Sequence, residues 1–341
     1  MSAEYATFGL APAMRAGGVL ANGDYRAHRD FVDFIVDGRP LLYQLSDLDA
    51  VSPLASDVPP AIFIAQVQSL LLEADPPLEG GRYVIYGCPE CEDLACGAVT
   101  AVIDRHGDDF VWRDFAWQTD DHPDLERNGY HGIGPFRFHG DQYRAALGSL
   151  LAGAVAGGER RRVLLIGARA AVLGKLAAAL RIIGIGADIT RDATGVPADE
   201  LRTYGAVAFG RAVTEQERAD VRHSFEQAGV DVAYVEGLAP IVPLLVAQIE
   251  NALDRSPQEQ RRLTRLVAAD GEAGIEVTSP CRVQLTAYRL DRLYRTHMHE
   301  VFDGVLEAGR HRLPLDTRAT RGESFIVART SGSVLVEAMA R

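Results

Sequence analysis

The spacing of apolar positions divides the chain into three regimes. In the first, through residue 151, alternating stretches predict strands: "DFVDFIVDG", "RYVIYG", "CGAVTAVIDR" and "DFVWRDFAW". One longer run, "AIFIAQVQSLLLEA", has helical spacing. Strands with few helices predict an α+β domain over 1–151. "AVIDRHGDDFVWRDF" reads as a hairpin, since polar, glycine-containing "RHGDD" separates two alternating segments. "IGPFRFHGDQYRAALGSLLAGAV" reads as a short strand and a closing helix, with Asp141 as its candidate N-cap.

After the hinge-like "AGGERR", strands and helices alternate over 159–255. "RVLLIGA", "GADITRD", "GAVAFGRAV" and "VDVAYVEG" predict four strands. "AAVLGKLAAALRIIG", "PADELRTY", "TEQERADVRHSFEQAG" and "PIVPLLVAQIENALDR" predict the helices that follow them. This order makes a parallel sheet of flavodoxin/receiver-like or Rossmann-like type, with right-handed crossovers. "TEQE" predicts a capping box between Thr214 and Glu217. Residues 256–273 are polar and predict a linker. From 274 to 341 the period returns to two, which predicts a small β-sandwich. The fold class is therefore α/β and α+β multidomain.

Charge narrows the function classes. The formal charge of -12 disfavours a nucleic-acid surface, which needs a basic face to displace counterions. No stretch approaches the ~20 apolar residues of a membrane span, and the first residues lack the pattern of a signal peptide. Four cysteines make no disulfide framework, so the expectation is a cytoplasmic protein with reduced thiols.

Three of those cysteines fall in one turn. Cys88 and Cys91 have C-x2-C half-site spacing, and Cys96 is a third candidate zinc ligand. A fourth would come from His106, His122, His131 or Cys281. A redox dithiol is the second alternative, opposed by Glu90, Glu92 and Asp93, which raise thiol pKa values. The favoured reading is structural, with the thiols as small buried hydrophobes in a tight turn shaped by Pro89 and Gly97.

The central sheet invites two further tests. A dinucleotide fingerprint needs three glycines, but Gly167 is followed by Ala168-Arg169-Ala170 and then Gly174. Asp188 and Asp192 are the only acids to consider for a ribose. A receiver needs carboxylates after strand one and an aspartate at the end of strand three, where this chain has "GARA" and "AFGRAVT". What remains is a receiver-like scaffold without its phosphoacceptor. Gly167, Arg169 and Arg211 fall at the carboxyl edge of the sheet, where two arginines suit an anion or a nucleotide. His297 and His299 would share a strand face, solvated or metal-binding. His131 and His139, near Tyr130 and Tyr143, suggest a pocket without a mechanism.

"CPECEDLACGAVT" at 88–100, "FVWRDF" at 110–115 and "GPFRF" at 134–138 carry a resemblance. With them the N-terminal segment resembles an uncharacterised, mostly actinobacterial family sharing "CPECGDLGCGAVT", "VVWRDF" and "GPFRF". Its members often carry the label oxidoreductase, and some look like immunity-type proteins. Glu92 and Ala95 replace two of the family's glycines. The resemblance implies no catalytic residue. "DGVLEAGRHRLPLD" is similar to β-sandwich modules with L-x-A-G-x-H turns.

The expected function is a non-catalytic binding or regulatory protein, immunity-type on the resemblance, acting on a protein partner or a small anionic ligand. The alternative is a nucleotide-dependent oxidoreductase using NAD or NADP on the central sheet, with Cys88 or Cys91.

Overall fold

The computed structural model describes residues 4–339 except 21–22, 46–47, 56–57, 92, 155–161, 192, 194, 270, 292, 294 and 319–321. The hinge-like "AGGERR", Glu92 and Asp192 therefore lie outside the described residues, wholly or in part. The protein is a mixed α/β multidomain chain that packs as two compact units. One comprises residues 1–15 and 29–158, the other 16–28 and 159–341.

In the first unit a five-stranded sheet runs in the order Tyr5–Ala6, Phe136–Phe138, Asp109–Gln118, Ala98–His106, Arg82–Gly87. Its first pair is parallel and the rest antiparallel. The expected hairpin is present: His106 pairs with Asp109, and Gly107 takes the positive φ of 66° that closes so short a turn. A second sheet pairs Phe8–Arg15 with Arg29–Val36 and Arg39–Pro40. The core is aromatic. Trp112 meets Phe34 edge-on at 5.2 Å and Phe138 at 5.7 Å, and its indole N–H donates to the Tyr143 hydroxyl at 3.1 Å. That hydroxyl donates in turn to the Leu70 carbonyl, so neither polar atom is buried unpaired. Asp141 is not the cap of helix Gly140–Ala154. The Tyr143 N–H bonds the His139 carbonyl one turn earlier, and Asp141 lies exposed in the first turn beside Arg144.

The second unit holds the four-stranded parallel sheet, ordered Gly186–Thr190, Arg162–Ile166, Tyr204–Phe209, Ala233–Glu236. This is the 2-1-3-4 order of flavodoxin-like folds. Helices Ala170–Ile182 and Val242–Leu253 cover one face through Leu176, Leu180, Val246 and Ile249. Helix Glu215–Gln227 covers the other through Val221 and Phe225. Its capping box forms as the sequence predicts: the Glu217 N–H donates to Thr214 Oγ1, and the Thr214 N–H donates to the Glu217 carboxylate at 2.7 Å.

Two antiparallel sheets follow, one of Leu263–Ala269, Glu272–Val277 and Gly309–Pro314, the other of Thr296–Leu306, Cys281–Leu290, Glu323–Arg329 and Val334–Ala338. They share one apolar core around Leu263, Ile275, Val283, Leu285 and Ile326. The first strand lies inside the stretch read as linker. Its alternation of buried Leu266 and Ala268 with exposed Val267 is masked in the sequence by Arg261, Arg262 and Arg265.

Segment 16–28 joins this unit as a small hairpin of Gly18–Val19 and Tyr25–Arg26. The Ala16 N–H donates to the Ser331 carbonyl and the His28 N–H to the Ile183 carbonyl, both at 2.7 Å. Behind it, Glu250 is fully buried, with one carboxylate oxygen 3.4 Å from His28 Nδ1 and the other 2.7 Å from the Arg329 guanidinium. Arg329 also donates to the Gly17 carbonyl. Burial pushes the Glu250 carboxyl up, but Arg329 and His28 outweigh it and hold the group below its ordinary value. Gly18, at φ 127°, has no Cβ because one would stand 2.6 Å from Arg329.

Candidate functional site

Two places gather chemistry. The first is the turn between strands Arg82–Gly87 and Ala98–His106, neighbours in the five-stranded sheet. Cys88 and Cys91 leave the first strand. Cys96 closes a 3₁₀ turn, Leu94–Cys96, whose start is capped by Asp93 accepting from the Ala95 N–H at 2.9 Å. Gly97 then enters the second strand at φ 94°, where a Cβ would sit 2.0 Å from the Trp117 ring. The turn therefore holds the three thiols on one side. Their sulfur atoms all lie within 4.8 Å of one another, close enough to hold one metal ion, and Cys91 and Cys96 are 3.1 Å apart.

This corrects the expectation of buried structural thiols. Cys91 and Cys96 are exposed and only Cys88 is half-buried, so burial does not account for them. Nor does the turn open a helix, as a thioredoxin-like dithiol requires. The expected repulsion from Glu90 is also relieved, because its carboxylate is paired with buried Arg15 at 2.6 Å. Burial raises the Cys88 thiol, but the backbone N–H groups of Glu90 and Cys91 and the neighbouring thiols bring it below its usual value. Cys96 is pushed up to about 11 by its hydrogen bond with Cys91 and by the charge beside it.

Among the described residues no fourth histidine, cysteine or carboxylate joins the group. His122 faces Glu79 at 3.2 Å, His131 the Glu126 carbonyl, and Cys281 is buried in the core of the antiparallel sheets. His106 sits at the tip of the following hairpin.

The second place is a cavity of about 320 Å³ at the carboxyl edge of the parallel sheet. A glycine follows each of three strands, Gly167, Gly210 and Gly237, and all three line it. The Gly210 N–H donates to the Ile166 carbonyl and the Gly237 N–H to the Phe209 carbonyl, so the floor continues the ladder with no side chain above it. Leu173, Val235, Leu245, Ile249 and Leu290 make apolar walls. Arg169 and Arg211 line it too, as the sequence placed them, and Arg211 is ion-paired with Glu323. Among the described residues no carboxylate, histidine, thiol or hydroxyl lines it.

The remaining candidates separate. Asp188 is mid-strand, opposite Leu164, and is held by Arg162 at 2.6 Å. His297 contacts Asp291 at 3.0 Å. His139 stacks on Tyr5 while Tyr143 is in the core, so the tyrosine–histidine pocket does not form around them.

Fold and geometry define a class: a two-unit α/β protein with a flavodoxin-like sheet and a three-thiol turn. Comparison with protein-family models, curated proteins and solved structures finds no match. The resemblance thus reaches only its coarser content, a cysteine cluster followed by an α/β domain. Among the described residues no helix is long and apolar enough to cross a membrane.

Proposed function

We propose that this chain is a non-catalytic binding or regulatory protein whose parallel sheet takes a small ligand with an apolar body and an anionic group. One observation carries the reading: the cavity lies where open α/β sheets bind ligands, and among the described residues its ionisable lining groups are the guanidiniums of Arg169 and Arg211. A guanidinium stays protonated at any working pH. It can hold an anion, but it offers no base and no nucleophile. A dinucleotide is disfavoured, since Arg169 and Val172 stand where the fingerprint needs glycine and bare backbone.

Differential thermal unfolding of the full chain tests this, with medium-chain carboxylates and phosphates set against their neutral amides and alcohols, and with NAD, NADP and flavin alongside. A ligand at a hundred times its Kd adds about 2.7 kcal/mol, or roughly 5–10 °C for a unit of this size. The anionic compounds should shift the transition and the neutral ones should not. Gly167→Ala should weaken the shift with little change in the unliganded midpoint, because a Cβ there meets its nearest atom, the Gly210 Cα, at an ordinary 3.6 Å. A shift with NAD or NADP alone, or none with any anion, refutes the reading.

The ion we assign to Cys88, Cys91 and Cys96 is zinc. Thiolates select zinc, copper(I) or iron–sulfur centres. A tetrahedral site with Zn–S bonds near 2.3 Å has S···S edges of about 3.8 Å. The sulfur spacing, 3.1 Å for one pair and within 4.8 Å for all, brackets that edge.

A further inference from the structure

We infer that the cysteine turn is an open zinc site: three thiolates of this chain hold the ion, and its fourth position is exchangeable, filled by water and taken over by a small thiol. The inference rests on the zinc assignment above and is independent of the cavity in the other unit.

Structural zinc sites close with four protein ligands, whereas three ligands leave a position for water or substrate. Here three sulfurs converge and no fourth described donor accompanies them. Of the acids that the sequence placed nearby, Glu90 is engaged with Arg15 and Asp93 with the turn backbone, and Glu92 lies outside the described residues. Exposure points the same way. Cys91 and Cys96 face solvent, so the side of the ion away from the sheet is reachable by a small molecule. The support is rigid, because the turn joins two strands paired through Gly87 and Ala98, and Gly97 is locked under Trp117.

Chemistry then selects the entering group. Loading Zn2+ displaces three thiol protons and leaves one water, giving a centre of net charge −1. Three sulfur donors make the ion soft, and a fourth sulfur suits it better than an oxygen. An incoming thiol forms a Zn–S bond as the water leaves, and its proton goes to solvent. No oxidant or reductant is needed.

The test uses the full chain, purified under reducing conditions. Elemental analysis should give about one zinc per chain. Cys88→Ser, Cys91→Ser and Cys96→Ser should each weaken zinc binding at least about a hundredfold, more than loss of an outer-shell partner does. Cobalt substitution reads the fourth position. The cobalt protein should show tetrahedral bands in the red and a sulfur-to-cobalt charge-transfer band. Adding 2-mercaptoethanol should shift the former and strengthen the latter by one thiolate, while its methyl thioether should do neither. One zinc per chain with a cobalt spectrum indifferent to thiol means that a fourth protein ligand closes the site. That result overturns this inference and leaves the zinc assignment standing. Absence of zinc, six-coordinate cobalt, or a Cys91–Cys96 disulfide by thiol counting overturns both.

Discussion

Removing the guanidinium from the buried charge cluster of the second unit is expected to expose how Glu250 is tolerated there. In Arg329→Met a carboxylate with no solvent access keeps only His28, at 3.4 Å. Removing one partner of a buried pair leaves an uncompensated charge and costs about 3–5 kcal/mol. The lower end applies, since His28 remains and Arg329 is 16% exposed. About 3 kcal/mol lowers the melting point of a unit this size by roughly 6–12 °C. The pH dependence gives a second signature. In the native protein the Glu250 carboxyl is held below its unfolded value. Its stabilisation is present above the unfolded pKa and is lost as pH falls through the folded one. Without Arg329, burial raises the folded pKa above the unfolded one, so the native state binds the extra proton. The deficit of the variant should then be largest at pH 7.5 and narrow toward pH 5. Glu250→Gln combined with Arg329→Met should recover most of the loss, because no charge is left buried. Both tryptophans, Trp112 and Trp117, lie in the other unit. Far-UV circular dichroism and hydrogen exchange in helix Val242–Leu253 are therefore the assays to use. A deficit under about 0.5 kcal/mol, a pH-independent deficit, or a double variant no better than the single one would refute the reasoning.

Three other outcomes follow from local geometry. Asp109 is drawn down to about 2, first by the Tyr5 hydroxyl, then by Arg137 and the Gly140 N–H. Its contribution is present above the unfolded carboxylate pKa and is lost as pH falls from about 4 through 2. Acid titration of Asp109→Asn, followed by tryptophan fluorescence, should lack that part of the unfolding limb. Gly97→Ala forces a Cβ into the Trp117 ring at a backbone angle that disfavours side chains, so zinc content should fall and Trp117 emission should change. An unaltered zinc content would show that the turn does not depend on this packing. Thr214→Ala removes one half of the capping box and should cost about 1 kcal/mol in urea unfolding of the second unit. No loss would mean that the helix start is held by its packing alone.

The parts of this architecture legible in the sequence are those with short-range causes. The strands of the parallel sheet are solid apolar runs, Thr214 and Glu217 are three residues apart, and Gly107 sits within its own hairpin. Strand Leu263–Ala269 was hidden because arginines on and beside it outweigh its buried positions in any local reading. The charge cluster was hidden for another reason. His28, Glu250 and Arg329 each look like an ordinary surface residue until the fold brings them together. At the cysteine turn the spacing suggested metal, but neither exposure nor the pairing of Glu90 with Arg15 can be read from neighbours in the chain.

The bond from Arg329 to the Gly17 carbonyl joins residues 312 positions apart. During synthesis at about 5–20 residues per second, the small hairpin waits roughly 15–60 s for the strand that anchors it. The last strands off the ribosome therefore finish a piece begun near the start, and a nascent chain stalled before residue 329 leaves Glu250 without its guanidinium.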